Sequence, residues 1–309
     1  VHEDPVAVAR ERLAEVHERL CAHLEVATFA EARPKLHAIA AARPEPGQVV
    51  PGYREANRRC VDFVRDRGLF DLPADFEVPL SPLVPGGEVM TDAGNLPAPL
   101  FGEGGGSFVV LDDAARHPLH WMVPLSVHEG VPGHYLQSWL WQQRFRGRAD
   151  RAAPAFVSVP DPIAAERHDW GAMLAIEGWA VYAEDLALRH GLHDHAGAAA
   201  VLEFHATRCV RAIVESELHS GRMEPDDAVA FYREQTGFDE VIARRDVRRS
   251  QRVPTQPSTY LLGWLRIEAL VASAREAGAS LAQAHAALLE HGPVLPAKLS
   301  LDPNPASRP

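Results

Sequence analysis

The hydrophobic positions of this chain recur mostly at the three- and four-residue steps that are typical of amphipathic helices. Near the start, Val8, Leu13, Val16 and Leu20 follow this spacing among charged residues, which predicts a helix over residues 4–31. Proline and glycine mark the ends of such segments, because both are poor helix formers. Helices are predicted over residues 4–31, 34–43, 51–70, 120–129, 134–144, 161–190, 198–220, 225–235, 239–249, 258–277 and 281–290.

Residues 71–106 interrupt this pattern, since they are rich in proline and glycine and lack helical periodicity. The pattern predicts a loop with short strands. The run Ser107-Phe108-Val109-Val110-Leu111, which follows a glycine run and precedes two aspartates, is the best strand candidate. The predicted fold class is therefore mainly α with a minor β element.

Composition and charge indicate which classes of partner and which cellular compartment to expect. A net charge of −11 over 309 residues argues against nucleic acid, because phosphate binding needs clustered lysine and arginine. The chain contains no apolar run of about 18 residues or more, so we expect no membrane span. Cys21, Cys60 and Cys209 lie far apart and predict free thiols in a reducing compartment. The N-terminal segment does not resemble a secretory signal, and we expect a cytoplasmic protein.

The stretch from His128 to His134 combines two imidazoles with a carboxylate, as it reads His-Glu-Gly-Val-Pro-Gly-His. Zinc hydrolases often carry His-Glu-x-x-His, which puts both histidines on one helical face. Here the spacing is six, which in an unbroken helix separates the imidazoles by ~120°. Pro132 and Gly133 predict a helix that ends or bulges after Glu129 and restarts near Gly133, which would bring the histidines together. The alternative is a helix–turn–helix with two ordinary histidines.

A catalytic zinc needs a third protein ligand. Glu177 is the best candidate, because it lies among apolar residues and a carboxylate is rarely buried without a partner. Glu184 lies seven residues further on the same helical face. It could be the ligand instead, or accept a hydrogen bond from a ligand imidazole. The sequence also allows both glutamates to be solvated.

The following helix carries Arg208, Arg211, Glu215 and His219 on one stripe. Such a stripe is often a solvated face with ion pairs, here Arg211 with Glu215. The functional alternative is that the stripe supports the metal site and that His219 faces the substrate.

A tyrosine and three arginines follow. Tyr260 could donate a hydrogen bond to a developing oxyanion, or be an ordinary half-buried aromatic residue. Arg248, Arg249 and Arg252 could bind a substrate carboxylate through bidentate hydrogen bonds, or form a solvated helix end.

Taken together, these motifs resemble the domain-of-unknown-function 885 family over roughly residues 105–300. Members of that family are usually longer, and the family pattern has glycine, serine and glycine where this chain has Thr255, Thr259 and Glu217. The matching residues are His128-Glu129, Pro132-Gly133-His134, Gln137, Glu177-Gly178-Trp179-Ala180, Tyr182-Ala183-Glu184, Leu218-His219, Pro254, Gln256, Tyr260, Gly263 and Leu288-Leu289-Glu290-His291-Gly292.

The resemblance implies a multi-helix domain like that of zinc metallopeptidases, with Zn2+ bound by His128, His134 and Glu177. The expected domains are a helical and loop region over 1–104 that packs on the core, a metal-dependent catalytic domain over 105–300, and a tail over 301–309.

The expected function is hydrolysis of a peptide or small amide bond, with Glu129 as general base and Tyr260 or His219 stabilising the oxyanion. Two alternatives are a metal-dependent biosynthetic enzyme, which cyclises a small molecule or cleaves a C–N bond, and a non-catalytic metal-binding scaffold. Glu129 argues against the scaffold, because no ligand set needs that carboxylate. The residues expected to support ligands or contact substrate are Glu184, Arg249, Gln256, Arg211 and Glu215.

Overall fold

Helices make up most of the residues that the computed structural model describes, namely 4–83, 91–97, 105–145, 162–292, 296 and 299. Side chains are described for these residues except 144–145 and 162–172. The mainly α fold class is therefore confirmed. The helices are α1 Pro5–His23, α2 Phe29–Ile39, α3 Val49–Asp66, α4 Met122–Leu125, α5 His134–Phe145, α6 Pro162–Arg189, α7 His195–His219, α8 Pro225–Gln235, α9 Glu240–Arg252, α10 Gln256–Glu276 and α11 Leu281–Glu290.

The minor β element is a three-stranded sheet in the order β1-β3-β2. The strands are β1 Leu80–Pro82, β2 Ala93–Leu96 and β3 Ser107–Val110. β1 pairs with β3 in parallel, and β2 pairs with β3 antiparallel. The predicted strand is thus confirmed as β3, and β1 and β2 are short strands of the kind expected within the loop over residues 71–106. The rest of that loop at 84–90 and 98–104, the predicted helix start at Asp161 and the tail 301–309 lie outside the described residues.

The prediction of one helix over residues 4–31 is wrong, because the chain turns before Phe29. Glu25 adopts a left-handed backbone angle, with φ 53°, which a helix cannot contain. A capping box then starts α2: the Thr28 side chain accepts from the N–H of Glu31, and the Glu31 carboxylate accepts from the N–H of Thr28. These local hydrogen bonds outweigh the hydrophobic periodicity that continues across the turn.

The core is built around α7, which is buried on all sides over most of its length. α1 packs along α7, and α10 packs along both α6 and α7. α6 and α10 cross where Gly178 meets Gly263, and a Cβ atom on either glycine would overlap the backbone of the opposite helix. This close crossing sets the distance between the helices that carry Glu177 and Tyr260.

The structure bears on the state of the cysteines and on the hydropathy of the helices. The cysteines are free thiols, and Cys60 and Cys209 are buried. Among the helices of the described ranges, none combines the length and the hydropathy needed to cross a bilayer.

A buried carboxyl group on α7 predicts how stability depends on pH. Glu203 is 3% exposed and lies against Gly237, and burial raises its pKa from 4.5 to about 8. Between these values the unfolded chain releases the proton while the folded protein keeps it, so the free energy of unfolding falls as pH rises. Through Glu203, the free energy of unfolding of the wild type should fall by an amount on the order of 3 kcal/mol between pH 5 and pH 8. Glu203→Gln should not show this fall, because glutamine does not ionise.

Chemical denaturation at both pH values measures this effect. Glu234→Gln, at an exposed position on α8, is the matched control. Equal pH dependence in wild type and Glu203→Gln would contradict the assignment.

Candidate metal centre

The chain between α4 and α5 forms a widened turn that brings two histidines together. Residues Ser126–Gly130 form one π-helical turn, and α5 begins at His134. The Val131–Pro132 peptide bond is cis. The ring centroids of His128 and His134 lie 4.8 Å apart, with the rings nearly perpendicular. The helix restarts close to the predicted position, but the bulge includes His128 instead of starting after Glu129.

Gly133 permits this turn by its size. Its N–H donates to the carbonyl of Val127 at 2.9 Å, and a Cβ atom would overlap the carbonyls of Val127 and His128. Glycine is therefore required at this position because there is no space for a side chain. From α6, the indole N–H of Trp179 donates to the carbonyl of Pro132 at 2.8 Å and holds the turn against the helix that carries Glu177.

Three potential ligand atoms converge at this turn. His128 Nε2 and His134 Nε2 lie 3.6 Å and 3.3 Å from Glu177 Oε2. All three ligand atoms lie within 4.8 Å of one another. A tetrahedral zinc with bonds of about 2.1 Å has ligand atoms about 3.4 Å apart. Glu177 Oε2 is also buried without a hydrogen-bond partner among the described residues. The donor types, their spacing and this unpartnered oxygen fit a divalent transition metal.

Glu184 orients His128 through the ring nitrogen that does not face Glu177. His128 Nδ1–H donates to Glu184 Oε1 at 2.7 Å, which leaves Nε2 to face Glu177. Arg208 donates to the same oxygen at 2.9 Å, and His205 Nε2 lies 3.4 Å from the other oxygen. Burial alone would raise the pKa of Glu184, but the charge of Arg208 and the hydrogen bond from His128 outweigh it and lower this pKa. Glu184 is therefore an ionised acceptor.

The side chains that could bind a metal influence each other's charge. Burial opposes a charged His128, but the nearby carboxylates of Glu177 and Glu184 outweigh it and raise the pKa of His128 to about 9. Burial would raise the pKa of Glu177, but the two histidines outweigh it and lower this pKa well below its ordinary value. Metal binding to such a site releases protons, because a metal displaces the imidazolium proton.

Glu129 lies beside the ligands. Its backbone carbonyl accepts a hydrogen bond from Asn95 Nδ2 of β2 at 3.2 Å. Glu129 and His128 also line one cavity. Burial is the main cause that raises the pKa of Glu129. A carboxylate with a raised pKa is a better proton acceptor than an ordinary one.

Tyr260 of α10 is linked to Glu177 by hydrogen bonds. Its hydroxyl oxygen accepts from Arg249 at 3.0 Å and from Gln256 at 3.1 Å, and Gln256 also donates to Glu177 Oε1 at 3.3 Å. With both acceptor positions used, the O–H hydrogen is left to donate. Burial is the main cause that raises the pKa of Tyr260, which keeps the hydroxyl protonated.

A cavity of about 770 Å³ opens on these residues. His128, His134, Glu177, Glu129 and Tyr260 form its polar floor. An apolar wall stands beside them and is made largely of aromatic rings, with Trp121 5.5 Å from Phe204 and 5.7 Å from Phe238. The residues of this wall are Trp121, Leu125, Phe204, Phe238 and Ile242.

Two of the predicted site residues lie elsewhere. His219 is exposed, its Nε2 lies 3.0 Å from the carbonyl oxygen of Ser250, and it does not line the cavity. Glu215 accepts from the backbone N–H groups of Thr255 and Ser258 and so holds the start of α10. Its predicted ion pair with Arg211 does not form, because this carboxylate caps the helix instead.

Arg211 lines the cavity but pairs with a residue that the sequence reasoning missed. Its guanidinium donates to Asp246 of α9 at 2.8 Å and 3.1 Å. Burial would raise the pKa of Asp246, but Arg211 outweighs it and lowers this pKa to about 2. Asp246 stands among the arginines of α9, and no spacing in the sequence linked it to α7.

Replacing Thr255 with glycine is expected to stabilise the protein. Thr255 adopts a left-handed backbone angle, with φ 74°. This conformation is strained for a β-branched residue. We expect Thr255→Gly to raise the free energy of unfolding by about 1 kcal/mol, since glycine adopts the angle without strain. Thermal denaturation measures this gain, with Thr236→Gly, at a buried position with extended backbone, as the contrasting variant that should lose stability.

Comparison with known proteins shows the family. The family described as a bacterial protein of unknown function (DUF885) matches residues 3–299. The chain belongs to this family. The resemblance drawn from the motifs is confirmed at that level, and the description of the DUF885 family assigns no activity. No curated protein matches the chain.

Two solved structures resemble this DUF885 member, and each is described as a "putative lipoprotein". The one from Colwellia psychrerythraea is 20% identical with a TM-score of 0.77, and the match covers 96% of this chain and 51% of that one. The one from Shewanella oneidensis is 16% identical with a TM-score of 0.71, and the match covers 94% and 53%. The chain thus spans about half the length of both. At these identities the similarity shows the fold alone.

Proposed function

We infer that this protein is a zinc-dependent hydrolase of a peptide or small amide bond. The observation that carries the proposal is the convergence of His128, His134 and Glu177 beside Glu129 in one cavity. Three protein ligands with space for a fourth group are typical of catalytic zinc sites. A purely structural site would be closed and would not need Glu129.

A bound zinc ion would polarise the scissile carbonyl and make a water molecule easier to deprotonate. Glu129 takes a proton from the attacking water as the water oxygen bonds to the carbonyl carbon. The Tyr260 O–H, which is left free to donate, stabilises the negative charge that develops on the carbonyl oxygen. The C–N bond then breaks, and Glu129 passes its proton to the departing amine.

The size of the cavity favours a small substrate. Its volume of about 770 Å³ falls in the range of pockets that enclose small ligands, which is ~300–1,000 Å³. A short peptide or a small amide fits such a space, and a folded protein does not. A cytoplasmic location stays a prediction from the free thiols.

The proposal is tested by removing and restoring the metal. We expect protein treated with a chelator to be inactive on a mixture of short synthetic peptides, and one equivalent of zinc to restore hydrolysis, measured by mass spectrometry of the products. Metal analysis should give about one zinc per chain. Hydrolysis that is equal with and without metal would exclude this mechanism.

A further inference from the structure

Four arginines of α7 and α9 border the cavity, and three of them have a carboxylate partner. These three pairs are Arg208–Glu184 at 2.9 Å, Arg211–Asp246 at 2.8 Å and Arg245–Asp92 at 3.2 Å. Arg249 differs, because its hydrogen bond goes to the neutral hydroxyl of Tyr260. In the described part of the chain, no carboxylate lies within ion-pair distance of it.

Asp246, one helical turn before Arg249 on α9, already has another partner. Asp246 lies near enough for Arg249 to contribute to lowering its pKa, but both of its oxygens accept hydrogen bonds from Arg211. Tyr232 also donates to Asp246. Arg249 is half-buried, so its charge has lost part of its hydration without gaining an anion from the protein. A guanidinium in this state favours a planar anion such as a carboxylate.

Arg249 also lies close to the metal ligands. Tyr260 and Gln256 link Arg249 to Glu177 through hydrogen bonds of 3.0, 3.1 and 3.3 Å. One extended residue spans about 3.3–3.6 Å. A carboxylate on Arg249 would therefore belong to a substrate residue at or next to the scissile bond.

We propose that Arg249 binds the C-terminal carboxylate of a short peptide or N-acyl amino acid, so that the enzyme removes a C-terminal residue. This inference rests on the proposed function and specifies its substrate. The apolar wall next to the polar floor would receive an apolar side chain. Arg248 and Arg252, which the sequence grouped with Arg249, are exposed and do not line the cavity.

The test uses N-acetyl-Phe-Phe with a free carboxylate, the same peptide with a C-terminal amide, and N-acetyl-Phe-Glu-amide. Zinc-loaded wild type should hydrolyse the free acid about 10²-fold faster than the amide in kcat/KM, the usual scale for a charge pair that loses its hydration on binding. Arg249→Met should lose this preference, and Arg248→Met should keep it. Arg249→Gln replaces Arg249→Met if circular dichroism shows that the latter is unfolded.

A second measurement does not depend on turnover. Calorimetry with zinc-loaded Glu129→Gln should show the free acid binding about 10²-fold more tightly than the amide, and this preference should disappear when Arg249→Met is added. Acid-selective binding without hydrolysis by wild type would support the carboxylate site and contradict the proposed reaction. Equal binding of acid and amide, no binding of either, or a preference for the Glu side chain would overturn the inference.

Discussion

Replacing Glu129 with glutamine is expected to leave zinc bound and to lower kcat by about 10²–10⁴-fold, the usual contribution of a general base. Glutamine keeps the shape of the side chain but cannot accept the proton of the attacking water. Glu129 is not among the three clustered ligand residues, so the metal content should not change. Metal analysis and steady-state kinetics on the zinc-loaded protein measure the two effects separately.

Glu234→Gln makes the same change at an exposed position far along the chain and serves as the control. A decrease in kcat smaller than about tenfold would be too small for a general base. In that case the proton acceptor is another group. A variant that loses its zinc would instead show that Glu129 helps to hold the metal.

Replacing either of two buried glutamates of α6 with glutamine should weaken zinc binding, but to very different extents. Glu177 faces both histidines with an oxygen that has no hydrogen-bond partner in the described structure, whereas Glu184 accepts from the far side of His128. Loss of Glu184 should weaken zinc binding by ~10–100-fold, the usual size for a group that orients a ligand. Loss of Glu177 removes one of three ligands and should weaken binding far more.

Competition with a chromogenic chelator measures both affinities. The two variants share a helix, a substitution and a buried position, so they control for each other. Circular dichroism should precede the measurement for Glu184→Gln, since Arg208 then faces a neutral partner. A larger loss for Glu184→Gln than for Glu177→Gln would reverse the two assignments.

The turn between the histidines could be predicted because its cause is local. Pro132 and Gly133 cannot continue a helix as other residues do, and the spacing of His128 and His134 then requires a distortion. The pairing of Glu184 with His128 was one of three options, because helical periodicity puts Glu177 and Glu184 on one face without saying whether either is solvated or which lies nearer the metal.

The surroundings of the site could not be predicted in the same way. The partner of Arg211 depends on how α9 packs on α7, and periodicity along a single helix contains no information on that packing. The same reason explains His219, which shares a stripe with Arg208 but lies several turns away, at the exposed end of α7. Asn95 comes from a short strand in a segment without a regular pattern.

The crossing of Gly178 and Gly263 has a consequence for how the site could adapt to different substrates. With no side chain between them, α6 and α10 are in backbone contact one residue from Glu177 and three residues from Tyr260. The two helices cannot slide or separate without breaking that contact, so it fixes the spacing between Glu177 and Tyr260. Specificity in this architecture is therefore expected to evolve in the apolar wall of the cavity, whose side chains can be exchanged without removing a hydrogen bond to Glu129 or Tyr260.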